Sequence, residues 1–353
     1  MRASAEAYRH LPKALLHDHL DGGLRVETVI ELARQSGYEG LPTSNPQRLA
    51  EWFDQGRSGS LPRYLEAFRH TVSLMQTAPA IERVAYEAVL DLAADGVLYA
   101  ELRFAPMLLC AGGLDPHQVV EAALAGLRQG EAETGMVARL ILDAMRQEDD
   151  SDRVAGLALA FRGRGVVAFD LAGPELGFPA DRHLSACRRV REGGLPLTLH
   201  AGEADGPHSI WTALERCGAQ RIGHGVRIVD DTRLVDGEVV EMGEVARYVR
   251  EHRVPLEICI SSNLHTGSWD TAAEHPAGAL QRAGFAVTLN TDNRLMSATS
   301  MSGEFALAAQ HLGFGIGDLQ AVTERALRAA FCDWPIRRRL LEERIRPAYE
   351  ELG

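Results

Sequence analysis

The chain has 353 residues, 46% hydrophobic, 24% charged and 6% aromatic, a composition that suits a globular protein able to bury roughly three-quarters of its unfolded surface. Its 49 acidic residues outnumber the 37 lysines and arginines, and the net charge of -12 disfavours a nucleic-acid or acidic-membrane partner. Five cysteines, an odd number without a CxxC pair, read as reduced thiols of a cytoplasmic protein, and no apolar run approaches the ~20 residues of a membrane span.

Residues 1–16 carry charges on both sides of each short apolar stretch, which argues against a signal peptide. The first buried strand is read at 14–19. Residues 24–96 are too long for a simple crossover and hold apolar helical stretches with a Gly/Ser-rich segment at 54–62, so they are expected to form a helical cap beside the mouth of the fold. Short apolar or β-branched runs then recur at 97–104, 137–143, 165–171, 196–200, 221–225, 255–260 and 286–292. Helical periodicity fills the gaps at 81–93, after the Asp115-Pro116 cap, and at 151–162, 181–192, 208–217, 241–252 and 275–283. The glycines at 313–318 follow a helix and read as an interhelical turn, and Trp334-Pro335 breaks the final helical stretch in two.

Eight strand–helix units argue for an α/β fold, a (β/α)8 TIM barrel with the helical cap inserted after the first strand, all of 1–353 forming one domain. A doubly wound open sheet with two domains is the alternative. In a barrel the catalytic groups stand at the C-terminal strand ends. Those ends carry His17 and His19, then Glu101 and Arg103, Asp143, Asp170, His200 followed by Glu203, His224, and Asp292.

His17 and His19 are two apart and share one face of their strand, which makes a metal half-site. A lone HxH is more often a pair of hydrogen-bonded histidines; the balance reverses when His200 and Asp292 end strands that converge on the same mouth. Three imidazoles and a carboxylate suit one Zn2+, which lowers the pKa of a bound water to about 7. Glu203 stands where a general acid belongs, against the plainer reading of a helix-capping carboxylate. His224, between two glycines, is placed to orient the water or to stabilise the alkoxide that develops, against the plainer reading of a histidine packed in a tight turn. Glu101, Arg103 and Asp143 read as ion pairs inside the barrel, and the other nine histidines as structural or exposed.

Together LLHDHLDG at 15–22, DLAGPE at 170–175, LHAGE at 199–203, RIGHG at 221–225, SSN at 261–263 and NTD at 290–292 resemble, in order, the motifs of the adenosine deaminases. The resemblance runs from about residue 11 to 330 and implies a mononuclear zinc hydrolase that converts adenosine to inosine and ammonia. It implies His17, His19, His200 and Asp292 as metal ligands and Glu203 as the proton donor to purine N1. His224 and Asp292 would handle the attacking water. His19, Asp21, the Gly173 N–H and Asn293 would contact the nucleoside, Asp21 at the ribose and Gly173 at N3. Asn293 departs from the usual second aspartate; its NH2 donates to the N7 acceptor without needing protonation.

The expected partner is a small purine nucleoside, with neither nucleic acid nor membrane. The alternatives are another 6-aminopurine, such as adenine or 6-amino-6-deoxyfutalosine, and a non-catalytic purine-binding protein. Trp52, Phe53, Tyr64, Leu65 and Phe68 of the cap are the candidates to cover the ribose side.

Overall fold

A computed structural model describes residues 5–54 and 58–351; Gln55, Gly56 and Arg57 of the Gly/Ser-rich segment lie outside the described residues. Eight parallel strands carry the architecture: β1 (Lys13–His19), β2 (Val97–Phe104), β3 (Val137–Met145), β4 (Val166–Ala172), β5 (Thr198–Ala201), β6 (Arg221–His224), β7 (Pro255–Ile258) and β8 (Ala286–Leu289). They pair as two four-stranded sheets, β1-β2-β3-β4 and β5-β6-β7-β8. Parallel bridges join both edges, Phe169 to Leu197 and Asp18 to Asp292, so the strands follow one another around a closed ring. At the second seam the His19 N–H donates to the Asp292 carbonyl at 2.6 Å and the Asp292 N–H to the His17 carbonyl at 3.0 Å.

Both faces of the strands are covered, which is why they appear in sequence as nearly continuous apolar runs. The crossover helices follow local signals. In Pro116–Thr134 the Asp115 carboxylate accepts from the His117 N–H at 2.8 Å, Gln118 accepts from the Asp115 N–H at 2.9 Å, and Gly135 closes the helix at φ 72°. The turn expected at 313–318 joins helices Met301–His311 and Ile316–Ala329, and Trp334-Pro335 opens the helix that follows.

Among the described residues of 24–96, four helices, Val26–Ser36, Pro46–Phe53, Leu61–Leu65 and Phe68–Leu74, precede the crossover helix Ala78–Ala94. Tyr64 ties this insertion to the loop after β8 through a 2.7 Å hydrogen bond with Ser297. One element differs from expectation. The helix expected at 241–252 begins only at Glu244, because Thr232–Val235 and Glu238–Met242 form an antiparallel hairpin. Its turn residues, Asp236 at φ 50° and Gly237 at φ 76°, have the left-handed pair that an Asp-Gly hairpin turn requires.

Glu101 and Arg103 lie inside the barrel, as expected. Arg103 reaches Asp170 and Glu257, each at 2.7 Å, while Arg221 reaches Glu257 at 2.6 Å and Glu101 at 2.5 Å. All five side chains are buried. Desolvating each ion costs several kcal/mol, which the pairing offsets only while every partner is present. Asp143 is the exception: it faces His19 at 3.4 Å and lines the mouth of the barrel.

Candidate metal and catalytic site

The ring brings His17 and His19 of β1, His200 of β5 and Asp292 just beyond β8 together, one ligand atom from each lying within 4.8 Å of all the others. The Asp292 Oδ1 is 3.2 Å from His17 Nε2 and 3.4 Å from His19 Nε2, and the Nε2 atoms of His19 and His200 are 3.3 Å apart. Gly223 on β6 permits this approach: a Cβ there would lie 3.1 Å from the His200 Cα and 3.3 Å from the His17 Cε1.

Each imidazole turns its other nitrogen to a carboxylate. His17 Nδ1 is 3.1 Å from Glu257, His19 Nδ1 is 3.4 Å from Asp143, and His200 Nδ1 is 2.9 Å from Asp170. A carboxylate on Nδ1 holds the proton there and leaves Nε2 as a free lone pair, the arrangement of metal-bound histidines. The buried His17 Nε2 has no hydrogen-bond partner among the described residues. The donor set and its surroundings therefore fit a divalent metal.

Glu203 follows β5, 3.7 Å from the His224 Nε2. Burial, then the charges of Asp292 and Glu175, push its carboxyl well above the ordinary range, which suits a proton donor. Burial likewise holds His19 and His224 well below the usual imidazole value, so both are neutral. His224 ends β6 at φ 59°, and Asp292, three residues beyond β8, has φ 56°. For a non-glycine residue this conformation costs on the order of 1–3 kcal/mol, a strain often found where a site fixes side-chain direction.

Above the imidazoles lies a cavity of about 330 Å³, within the roughly 300–1,000 Å³ range of small-ligand sites. His19, Asp21, Gly173, His200, Glu203, His224, Asp292 and Asn293 all line it; His17 is buried beneath. Gly173 has φ 94°, a backbone conformation that residues with a side chain rarely adopt. Tyr64, Leu65 and Phe68 of the insertion face the cavity. Trp52 and Phe53 instead pack with His70 and are absent from its lining.

Several supporting residues have roles that the sequence did not disclose. Glu175, inside DLAGPE, accepts from the backbone N–H groups of Gly202, Glu203, Ala204 and Asp205 and from the Ser209 hydroxyl at 2.5–3.0 Å, so one carboxylate pins the Glu203 loop. Glu257 sits in the apolar run PLEICI and carries no site signal in sequence. His275, grouped among the structural histidines, contacts Asn263, which in turn contacts His224. Asn263 belonged to a quoted motif without an assigned role.

The family model described as adenosine deaminase matches residues 12–347. An adenosine deaminase of Mycobacterium ulcerans (strain Agy99) is 50% identical over 354 residues, covering 98% of each chain. Two solved structures share the fold. An adenine deaminase from Arthrobacter aurescens has a TM-score of 0.86 at 24% identity, with 97% of this chain and 99% of that one covered. An amidohydrolase from Burkholderia ambifaria with bound Zn has a TM-score of 0.85 at 23% identity, with 100% and 94% covered. No helix among the described residues is long and apolar enough to cross a membrane.

Proposed function

The chain belongs to the adenosine deaminase family, and we propose that it hydrolyses the 6-amino group of adenosine and 2′-deoxyadenosine to release ammonia. The observation that carries this reading is the metal-fitting cluster of His17, His19, His200 and Asp292 at the floor of a nucleoside-sized cavity with the buried Glu203 carboxyl in its wall. The proposed metal is one zinc ion per chain, for which imidazole and carboxylate donors are suited. When bound, zinc would act as a Lewis acid that brings the ionisation of a water ligand down to about pH 7.

The protein's own groups handle the protons. Glu203 gives its proton to purine N1 as water adds to C6. His224 and Asp292 flank that water, orient it and take up its proton, which passes to the departing amine. The C6–N6 bond breaks, N1 keeps its hydrogen, and the proton of the new C6 hydroxyl returns to Glu203 as the carbonyl forms. Asn293 donates to N7, the Gly173 N–H faces N3, and Asp21 accepts from the ribose, with His19 against the nucleoside and Leu65 and Phe68 closing the apolar side. In this reading residues 24–96 serve as the cap of one hydrolase domain, working in the cytoplasm on a free nucleoside.

The test is to measure metal in a purified sample and offer it adenosine, 2′-deoxyadenosine, adenine and 6-amino-6-deoxyfutalosine, following the ultraviolet change on loss of the 6-amino group. Fastest turnover of the two adenosines supports the reading. No turnover of any 6-aminopurine by a zinc-replete sample refutes it.

A further inference from the structure

Behind His224 runs a buried line of polar groups. The Ala277 backbone N–H is 3.2 Å from His275 Nδ1, His275 Nε2 is 3.2 Å from the Asn263 Oδ1, and the Asn263 Nδ2 is 3.2 Å from His224 Nδ1. His224, Asn263 and His275 are all 3% exposed or less, so water does not compete for these contacts. A backbone N–H can only donate, which makes His275 Nδ1 an acceptor. The ring is neutral, since burial lowers it to about 3, and its single proton lies on Nε2 and is donated to Asn263. The amide of Asn263 is oriented by that bond: its oxygen faces His275, and its NH2 donates to His224 Nδ1.

With Nδ1 occupied as an acceptor, the proton of neutral His224 must lie on Nε2, the nitrogen that faces Glu203 and the site. We infer that Asn263 and His275 are positioning residues that lock His224 as a hydrogen-bond donor toward the reacting oxygen. This inference rests on the deaminase reading for the identity of that oxygen, and it divides a role shared above. His224 cannot take the water's proton while Nε2 already holds one and Nδ1 is occupied. Asp292 is then the acceptor, and His224 stabilises the negative charge that develops on oxygen.

Imidazole 1H–15N correlation spectra of the zinc-loaded, 15N-histidine-labelled enzyme read the tautomer directly, with His224 assigned by its absence in His224→Gln. The expected pattern is a protonated Nε2 and a bare Nδ1. Asn263→Asp, an isostere that can only accept, should move a proton onto Nδ1 and lower kcat about 10²-fold, the usual effect of losing one donor to a developing oxyanion, with KM within about threefold. His275→Gln keeps a donor toward Asn263 and should restore the activity that His275→Leu loses. A wild-type His224 protonated on Nδ1, or an Asn263→Asp enzyme with unchanged spectrum and kcat, overturns the inference. The wild-type spectrum decides even where a variant fails to fold. A correct tautomer in a protein inert toward adenosine refutes the functional reading and leaves the lock standing.

Discussion

Glu175→Gln tests whether the Glu203 loop is held by one carboxylate. The Glu175 Oε1 accepts from the Gly202 N–H at 2.6 Å and the Ser209 hydroxyl at 2.5 Å, and its Oε2 from the N–H groups of Glu203, Ala204 and Asp205 at 2.7–3.0 Å. A glutamine can keep only one of these ends as an acceptor. If its NH2 replaces the Oε1, the Gly202 N–H loses its acceptor while the Ser209 hydroxyl can turn to accept; if it replaces the Oε2, three N–H groups lose theirs. Hydrogen bonds to a charged group are worth roughly 1.5–3 kcal/mol each, so holding the loop unchanged would cost ~1.5–3 kcal/mol in the milder case. The loop relieves part of this by moving, and a shift of ~1 Å at Glu203 lowers the rate on the order of 10²-fold. Calorimetry, metal analysis and steady-state kinetics on one preparation should show a lowered Tm, unchanged metal content and a loss mainly in kcat. Wild-type kcat together with a wild-type Tm would refute the argument that this carboxylate organises the loop.

Glu203→Gln should keep the metal and lose about 10²–10⁴ in kcat, because general acid catalysis typically contributes that much; full activity would mean that the proton donor is another group. His200→Ala removes a ligand and should lose the metal as well, which metal analysis of the purified variant checks. Asn293→Asp should retain metal and some turnover but acquire a new pH dependence, since a carboxyl must be protonated to donate to N7; an unchanged pH profile counts against the N7 contact. Glu304 offers a test of stability. Burial raises its carboxyl from 4.5 to about 7, so the fold retains a proton that the unfolded chain releases between those values. Stability should fall through that window by ~3 kcal/mol as pH rises, and Glu304→Gln should remove the loss, raising Tm at pH 8 but not at pH 4.5. Parallel curves of Tm against pH for both proteins would refute the assignment.

The sequence by itself determined the chemical types and their order along the chain. Parallel strands buried on both faces must be apolar except where they end in polar groups, so HDH, HAGE, IGHG and NTD stood out against their runs. Period 3.6 marked most crossover helices but passed over the hairpin at 232–242, whose Asp-Gly turn was the available signal. What only the tertiary structure decided were contacts that no local period encodes. Glu257 carries no signal within its apolar run, and only β2 and β6 bring Arg103 and Arg221 against it. Asp143 looked like an ion-pair member, yet the ring turns it to His19. His275 lies twelve residues from Asn263 across a loop, a separation with no helical or strand meaning, and closing the barrel places both behind His224. The candidate ligand types are thus written at strand ends, whereas tautomer, protonation and loop position depend on neighbours that only the closed ring supplies.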